Sequence, residues 1–142
     1  GEGAGALMCI DATGSGDITR SGQVWMNKTI GRSLSTVAIA DGLLYTADLA
    51  GKVYCLDAPT GREIWKHDAE GTIWGSPLVA DGKVYIGTEN ATLWVLAAGR
   101  EKKIIADNTI NGSVLSTPVA ANSVLYLTTD RMLYATQLPK SQ

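Results

Sequence analysis

The chain has 142 residues, 45% of them hydrophobic and 18% charged, which is enough for one domain with a real core. Its net charge is −2 and its basic residues are scattered, the longest run (Arg100-Glu101-Lys102-Lys103) being interrupted by a glutamate, so no nucleic-acid footprint is present. No apolar stretch reaches the roughly 20 residues that span a bilayer, Gly1-Glu2-Gly3 does not open a signal peptide, and two cysteines without CxxC spacing make neither a disulfide framework nor a zinc site.

The first predicted element is the apolar run Leu7-Met8-Cys9-Ile10, read as a strand. The loop after it places oxygen-bearing Asp11, Thr13, Ser15 and Asp17 at first, third, fifth and seventh positions with a glycine sixth, a weak calcium-loop candidate. Its twelfth position is Gly22 instead of a bidentate Glu, and no helices flank it, so an exposed loop is the favoured reading. Trp25 lies in the strand that follows.

From Thr36 onward the chain repeats itself. Thr36-Val37-Ala38-Ile39-Ala40-Asp41-Gly42, Ser76-Pro77-Leu78-Val79-Ala80-Asp81-Gly82 and Thr117-Pro118-Val119-Ala120-Ala121-Asn122-Ser123 align, with Asp41, Asp81 and Asn122 separated by 40 and 41 residues. Each leads into an aromatic-bearing run around Tyr45, Tyr85 or Tyr126, then into a second around Tyr54, Trp94 or Tyr134. The runs are short and rich in β-branched residues, and Asp-Gly turns of the hairpin type separate them. No window holds a helical period. Four strands per period of about 40 describe a propeller blade, whose sheet buries its faces only by stacking on neighbours.

The stretch Cys55-Leu56-Asp57-Ala58-Pro59-Thr60-Gly61-Arg62-Glu63-Ile64-Trp65 resembles the tryptophan-docking motif of quinoprotein-like, PQQ-repeat propellers, with Cys55 for the leading alanine. The resemblance implies that Trp65 stacks between blades while Asp57 and Thr60 hydrogen-bond across the turn at Gly61, with a weaker version at Asp11 and Trp25. The third copy departs from it: Ala97 replaces the Asp and Lys103-Ile104-Ile105 the Trp segment, so aliphatic packing is expected there.

The expected fold is therefore all-β, a partial propeller of about 3.5 four-stranded antiparallel blades. Residues 5–30 are read as a half blade, 33–70 and 73–110 as full blades, and 114–138 as a three-stranded incomplete blade. This falls short of the 4–8 blades that close a ring. The rest of a larger propeller, or further copies of the chain, is the expected partner; protein partners fit as well, nucleic acid and a membrane span do not.

No catalytic constellation stands out. In PQQ dehydrogenases, which the repeats also resemble, a vicinal Cys-Cys disulfide covers the cofactor, whereas Cys9 and Cys55 are 46 residues apart. No cofactor is predicted, PQQ and Ca2+ being the alternatives, and no cofactor-binding residue is assigned. The single histidine, His67, is read as an exposed edge residue, and the N-x-S/T sequons at Asn27, Asn90 and Asn111 as silent. Asp48, Glu89 and Asp130 fall at what look like matching loop positions and are candidates to face the channel. The leading functional reading is a non-catalytic module for binding or scaffolding, periplasmic or extracellular by resemblance. The alternatives are structural blades of a quinoprotein alcohol or sugar dehydrogenase, and small-ligand or carbohydrate binding at the channel mouth.

Overall fold

The computed structural model describes residues 5–137. These form thirteen strands in four antiparallel sheets and, among the described residues, no helix. The first sheet pairs β1 (Leu7–Ile10) with β2 (Gln23–Asn27). The second runs in the order β3 (Ala38–Ala40), β4 (Leu43–Ala47), β5 (Lys52–Asp57) and β6 (Glu63–Asp68). The third repeats that order with β7 (Leu78–Ala80), β8 (Lys83–Gly87), β9 (Thr92–Ala97) and β10 (Ile104–Thr109). The fourth holds β11 (Val119–Ala121), β12 (Val124–Thr128) and β13 (Leu133–Gln137). The ring is open. The short first strands β3, β7 and β11 approach one another across sheets, which sets them nearest the propeller axis.

Local chemistry explains the hairpins. The turn after each first strand needs two consecutive left-handed residues, supplied by Asp41 (φ 50) with Gly42 (φ 73) and by Asp81 (φ 49) with Gly82 (φ 65). The fourth sheet makes the same turn with Asn122 (φ 51) and Ser123 (φ 62), where serine bears a strain that glycine would not.

Cross-strand register decides which side chains meet the next blade. In the second sheet the row Ala38, Tyr45, Cys55, Trp65 shares one face; in the third the row is Leu78, Tyr85, Val95, Ala106, and in the fourth Val119, Tyr126, Ala135. In the first, Cys9 pairs with Trp25. An extra residue in the last strand of each of the first three sheets (Val24, Ile64, Ile105) breaks register just before this row, a recurring β-bulge.

Three interblade cores result. Leu7 and Trp25 of the first sheet pack on Leu44, Tyr54 and Leu56 of the second. Tyr45, Val53, Cys55 and Trp65 meet Val84, Ile86, Leu96 and Trp94 of the third. Tyr85 and Leu93 meet Leu125, Leu127 and Tyr134 of the fourth. The middle core is the best filled: Tyr45, Val53, Cys55, Val84, Ile86 and Leu96 are completely buried.

Two expectations need correction. His67 is buried, at 6% exposure, because its row faces the next blade; its ring packs edge-on against Trp94 at 4.5 Å. Ile104 and Ile105 do not pack the third interface and are each 47% exposed, because the turn from Leu96 to its partner Ile104 is one residue longer than that from Leu56 to Glu63, which puts Ala106 in the row that carries Trp25 and Trp65.

Candidate functional site

The most highly built feature of the molecule is the docking of a tryptophan from each of the first two sheets on the outer turn of the next. Trp25 donates its Nε1 hydrogen to the Ala58 carbonyl at 3.0 Å, and Trp65 donates to the Gly99 carbonyl at 2.9 Å. Gly61 (φ +68) lies so close under Trp25 that a Cβ there would stand 2.4 Å from the indole, so only glycine suits both the turn and the contact. Beside it, the Thr60 hydroxyl donates to Asp57 Oδ2 at 2.6 Å, and Arg100 of the third sheet reaches Asp57 Oδ1 at 3.2 Å. The Thr60 hydroxyl, then the Arg100 guanidinium, hold the Asp57 carboxyl below its ordinary pKa. Cys55 Sγ also turns to the Gly99 carbonyl, and burial pushes its thiol up to about 11, which makes it an inert packing residue. Burial likewise raises Tyr45 to about 12.

The loops at one end of the blades form the second candidate surface. Here the hydrogen bonds revise the alignment of Asp48, Glu89 and Asp130. The Leu49, Glu89 and Asp130 amides each donate to the incoming loop, at the Arg32, Thr72 and Ser113 carbonyls, so Leu49 is the equivalent of Glu89 and Asp130. Asp48 belongs with Thr88 and Thr129, and it is 2% exposed. Its carboxylate accepts from the Tyr54 hydroxyl at 2.7 Å, the Lys52 amide at 3.0 Å and the Gly31 amide at 3.2 Å. Asp48 is a buried fastener and cannot face a channel ligand. Glu89 is exposed and accepts from Trp74 Nε1 at 2.9 Å, and Asp130 accepts from the Ser113 amide at 2.8 Å.

A hydroxyl ladder ties the entries to the innermost strands. The Thr36 amide donates to Ser76 Oγ at 2.9 Å, and the Ser76 amide donates to Thr117 Oγ1 at 2.9 Å, linking three consecutive blades at one level.

The loop from Asp11 to Asp17 folds its oxygens back on itself. Asp11 Oδ1 accepts from the Thr13 amide and hydroxyl, and Asp17 Oδ1 from the Thr19 amide; the Thr13 amide and hydroxyl lower the Asp11 pKa, and the Thr19 hydroxyl, then its amide, lower that of Asp17. Ser15 forms no hydrogen bond with either carboxylate. Among the described residues no group of three His, Cys, Asp or Glu side chains is arranged to hold a metal ion. Both cysteines are free, and they sit on equivalent strands of different blades, so they do not supply the cofactor cover of the quinoprotein dehydrogenases. Of the sequon asparagines, Asn27 and Asn90 donate their amide nitrogens to the Gly61 and Glu70 carbonyls.

Four repeated sheets, docked by tryptophans around an axis, can be compared with known propellers. The family model described as outer membrane protein assembly factor BamB matches residues 3–103. The chain belongs to this BamB-like PQQ-repeat family. BamB from Escherichia coli K12 is 36% identical over 92 residues, covering 58% of this chain and 23% of the relative. The lanthanide-dependent methanol dehydrogenase of Methylacidiphilum fumariolicum is 38% identical over 64 residues, covering 42% of this chain and 10% of the enzyme. The chain thus spans about a quarter of the curated BamB sequences it matches. Among solved structures, BamB from Moraxella catarrhalis superimposes with a TM-score of 0.77 at 18% identity, covering 94% of this chain and 40% of that one. Quinohemoprotein alcohol dehydrogenase from Comamonas testosteroni gives 0.64 at 18% identity, covering 77% and 25%. Both show the fold.

Within this BamB-like frame, sequence reasoning missed the third interface. Between the third and fourth sheets two adjoining clefts open, of about 480 and 290 Å³, both lined by Tyr85, Leu125 and Thr136. The available signal was the exchange of Trp for a small residue, but the longer turn before β10 hid which residue makes it.

Proposed function

We propose that this chain supplies non-catalytic blades that bind or scaffold protein partners, as part of a larger propeller on the periplasmic side of an outer membrane. The observation that carries the reading is the pair of uncovered end faces. Met8 and Ile10, 48% and 55% exposed, hold the positions where the third sheet half-buries Trp94 and fully buries Leu96. Tyr126 and Leu133, 37% and 68% exposed, hold those where the second buries Tyr45 and Val53. Apolar faces of this kind call for a further blade. The role named for the BamB relatives, outer membrane protein assembly, supports a binding role and the compartment.

The solution mass of the isolated chain tests the ring. Light scattering should find self-association, or a marginally stable monomer that gains stability when the remaining blades are supplied. A monodisperse monomer as stable as an ordinary domain overturns the reading. Fractionation of the tagged full-length protein tests the compartment.

A second reading, structural blades of a quinoprotein dehydrogenase, is favoured by the 38% identity over 64 residues to the methanol dehydrogenase. A thermal shift of the purified chain on adding PQQ with calcium would support it and weigh against the scaffold. Ligand binding at the channel mouth would rest on Glu89 and Asp130 alone, since Asp48 is buried.

A further inference from the structure

We propose that the cleft between the third and fourth sheets is a receptor for one indole side chain, brought by a tryptophan-bearing segment of a partner polypeptide. The chain contains its own template for this ligand. At the interface between the second and third sheets the Trp65 indole shares a core with Tyr45, Cys55, Val84 and Leu96 and hydrogen-bonds to the Gly99 carbonyl. One blade further, register makes Tyr85, Val95, Leu125 and Thr136 the equivalents of those four residues. All four line the smaller cleft, of about 290 Å³. The strand position that carries the indole at the other two interfaces holds only a methyl group here, because Ala106 pairs with Val95 as Trp65 pairs with Cys55 and Trp25 with Cys9.

Two further exchanges enlarge the same space. Leu96 gives way to Thr136, and the His67 ring that packs on Trp94 gives way to Asn108, whose amide turns to the Leu93 carbonyl. The walls are apolar, with Leu93, Leu127 and Tyr134 closing the far side. An apolar cavity of about 150 Å³ already takes a benzene ring, so this space admits a bicyclic aromatic. The cleft is the register equivalent of an interblade surface used twice elsewhere in this chain to bind indole, which is what selects the occupant.

The inference deepens the scaffold reading by naming the chemistry a partner brings, but its test reads the cleft alone. Saturation-transfer NMR on the full chain would use free indole first, then a short peptide containing one tryptophan, with its Trp→Ala version as control. Indole is expected to bind with a millimolar dissociation constant, as its few heavy atoms dictate. The tryptophan peptide should bind more tightly and the control not at all. Ala106→Trp should abolish both signals and raise the melting temperature, and Ala106→Leu, a milder filling, should weaken binding about tenfold. No saturation transfer to indole, or transfer undiminished in both variants, overturns the proposal. Binding of free indole without any preference for the tryptophan peptide over its control overturns the polypeptide donor. Self-association of the chain would be unaffected by any of these results, so the scaffold reading stands or falls separately.

Discussion

Trp65→Ala is the perturbation that most directly measures how these blades are held together. Trp65 is 7% exposed, and its indole touches Tyr45 with ring centroids 6.0 Å apart. Burying an aromatic of this size removes about 200 Å² from water, and truncations of buried Trp or Phe to Ala cost about 3–5 kcal/mol. The Nε1 bond to Gly99 adds a net contribution of about 1 kcal/mol. Some of the loss is recovered by collapse, so about 4 kcal/mol is expected in all, a large part of the stability of a domain this size. The corresponding fall in melting temperature is roughly 12 °C. Trp25→Ala serves as the internal control: the same bond is present, but its indole is only half-buried against the two-stranded sheet, and about 2 kcal/mol is expected. Urea unfolding followed by far-ultraviolet circular dichroism, which does not depend on the deleted fluorophore, gives both values. A Trp65→Ala loss below about 1.5 kcal/mol, or no larger than that of Trp25→Ala, would refute the claim that the second and third sheets share the dominant core.

Burial, with a smaller contribution from Lys102, lowers the His67 pKa, while Asp68 and Glu70 pull weakly the other way. The unfolded chain therefore binds the proton first, so stability is complete above about pH 6.5 and declines as pH falls toward the folded-state value. His67→Asn, the residue found at the equivalent positions 27 and 108, should flatten this acid slope in urea titrations between about pH 7.5 and pH 5, and an unchanged slope contradicts the assignment. Asp48→Ala leaves the buried Tyr54 hydroxyl and two amides without their acceptor and should cost about 2–3 kcal/mol in the same assay, whereas a truly channel-facing carboxylate would cost almost nothing. Ser123→Gly relieves a left-handed serine in a type I′ turn and should stabilise the chain by about 1 kcal/mol, seen as a raised melting temperature.

The sequence by itself determined the sheets. A period of about 40 residues, Asp-Gly hairpins and short β-branched runs are local signals, and they led to an open stack of antiparallel blades because turn chemistry and side-chain alternation act over a few residues. What depended on the tertiary structure was the environment of each side chain. Counting along the chain placed Ile104 and Ile105 at the third interface, but one extra residue in the turn before β10 advances the register and delivers Ala106 instead. The same kind of one-residue difference separates Asp48, folded inward onto Tyr54, from Glu89 and Asp130 on the surface. His67 looked like an edge residue because its strand is outermost in its own sheet, yet the next blade covers it. Burial in a propeller is set by the neighbouring sheet about 40 residues away, and no local pattern records how closely that sheet approaches. The cleft between the third and fourth sheets is the clearest case: it exists only because two faces, each readable alone, are brought together.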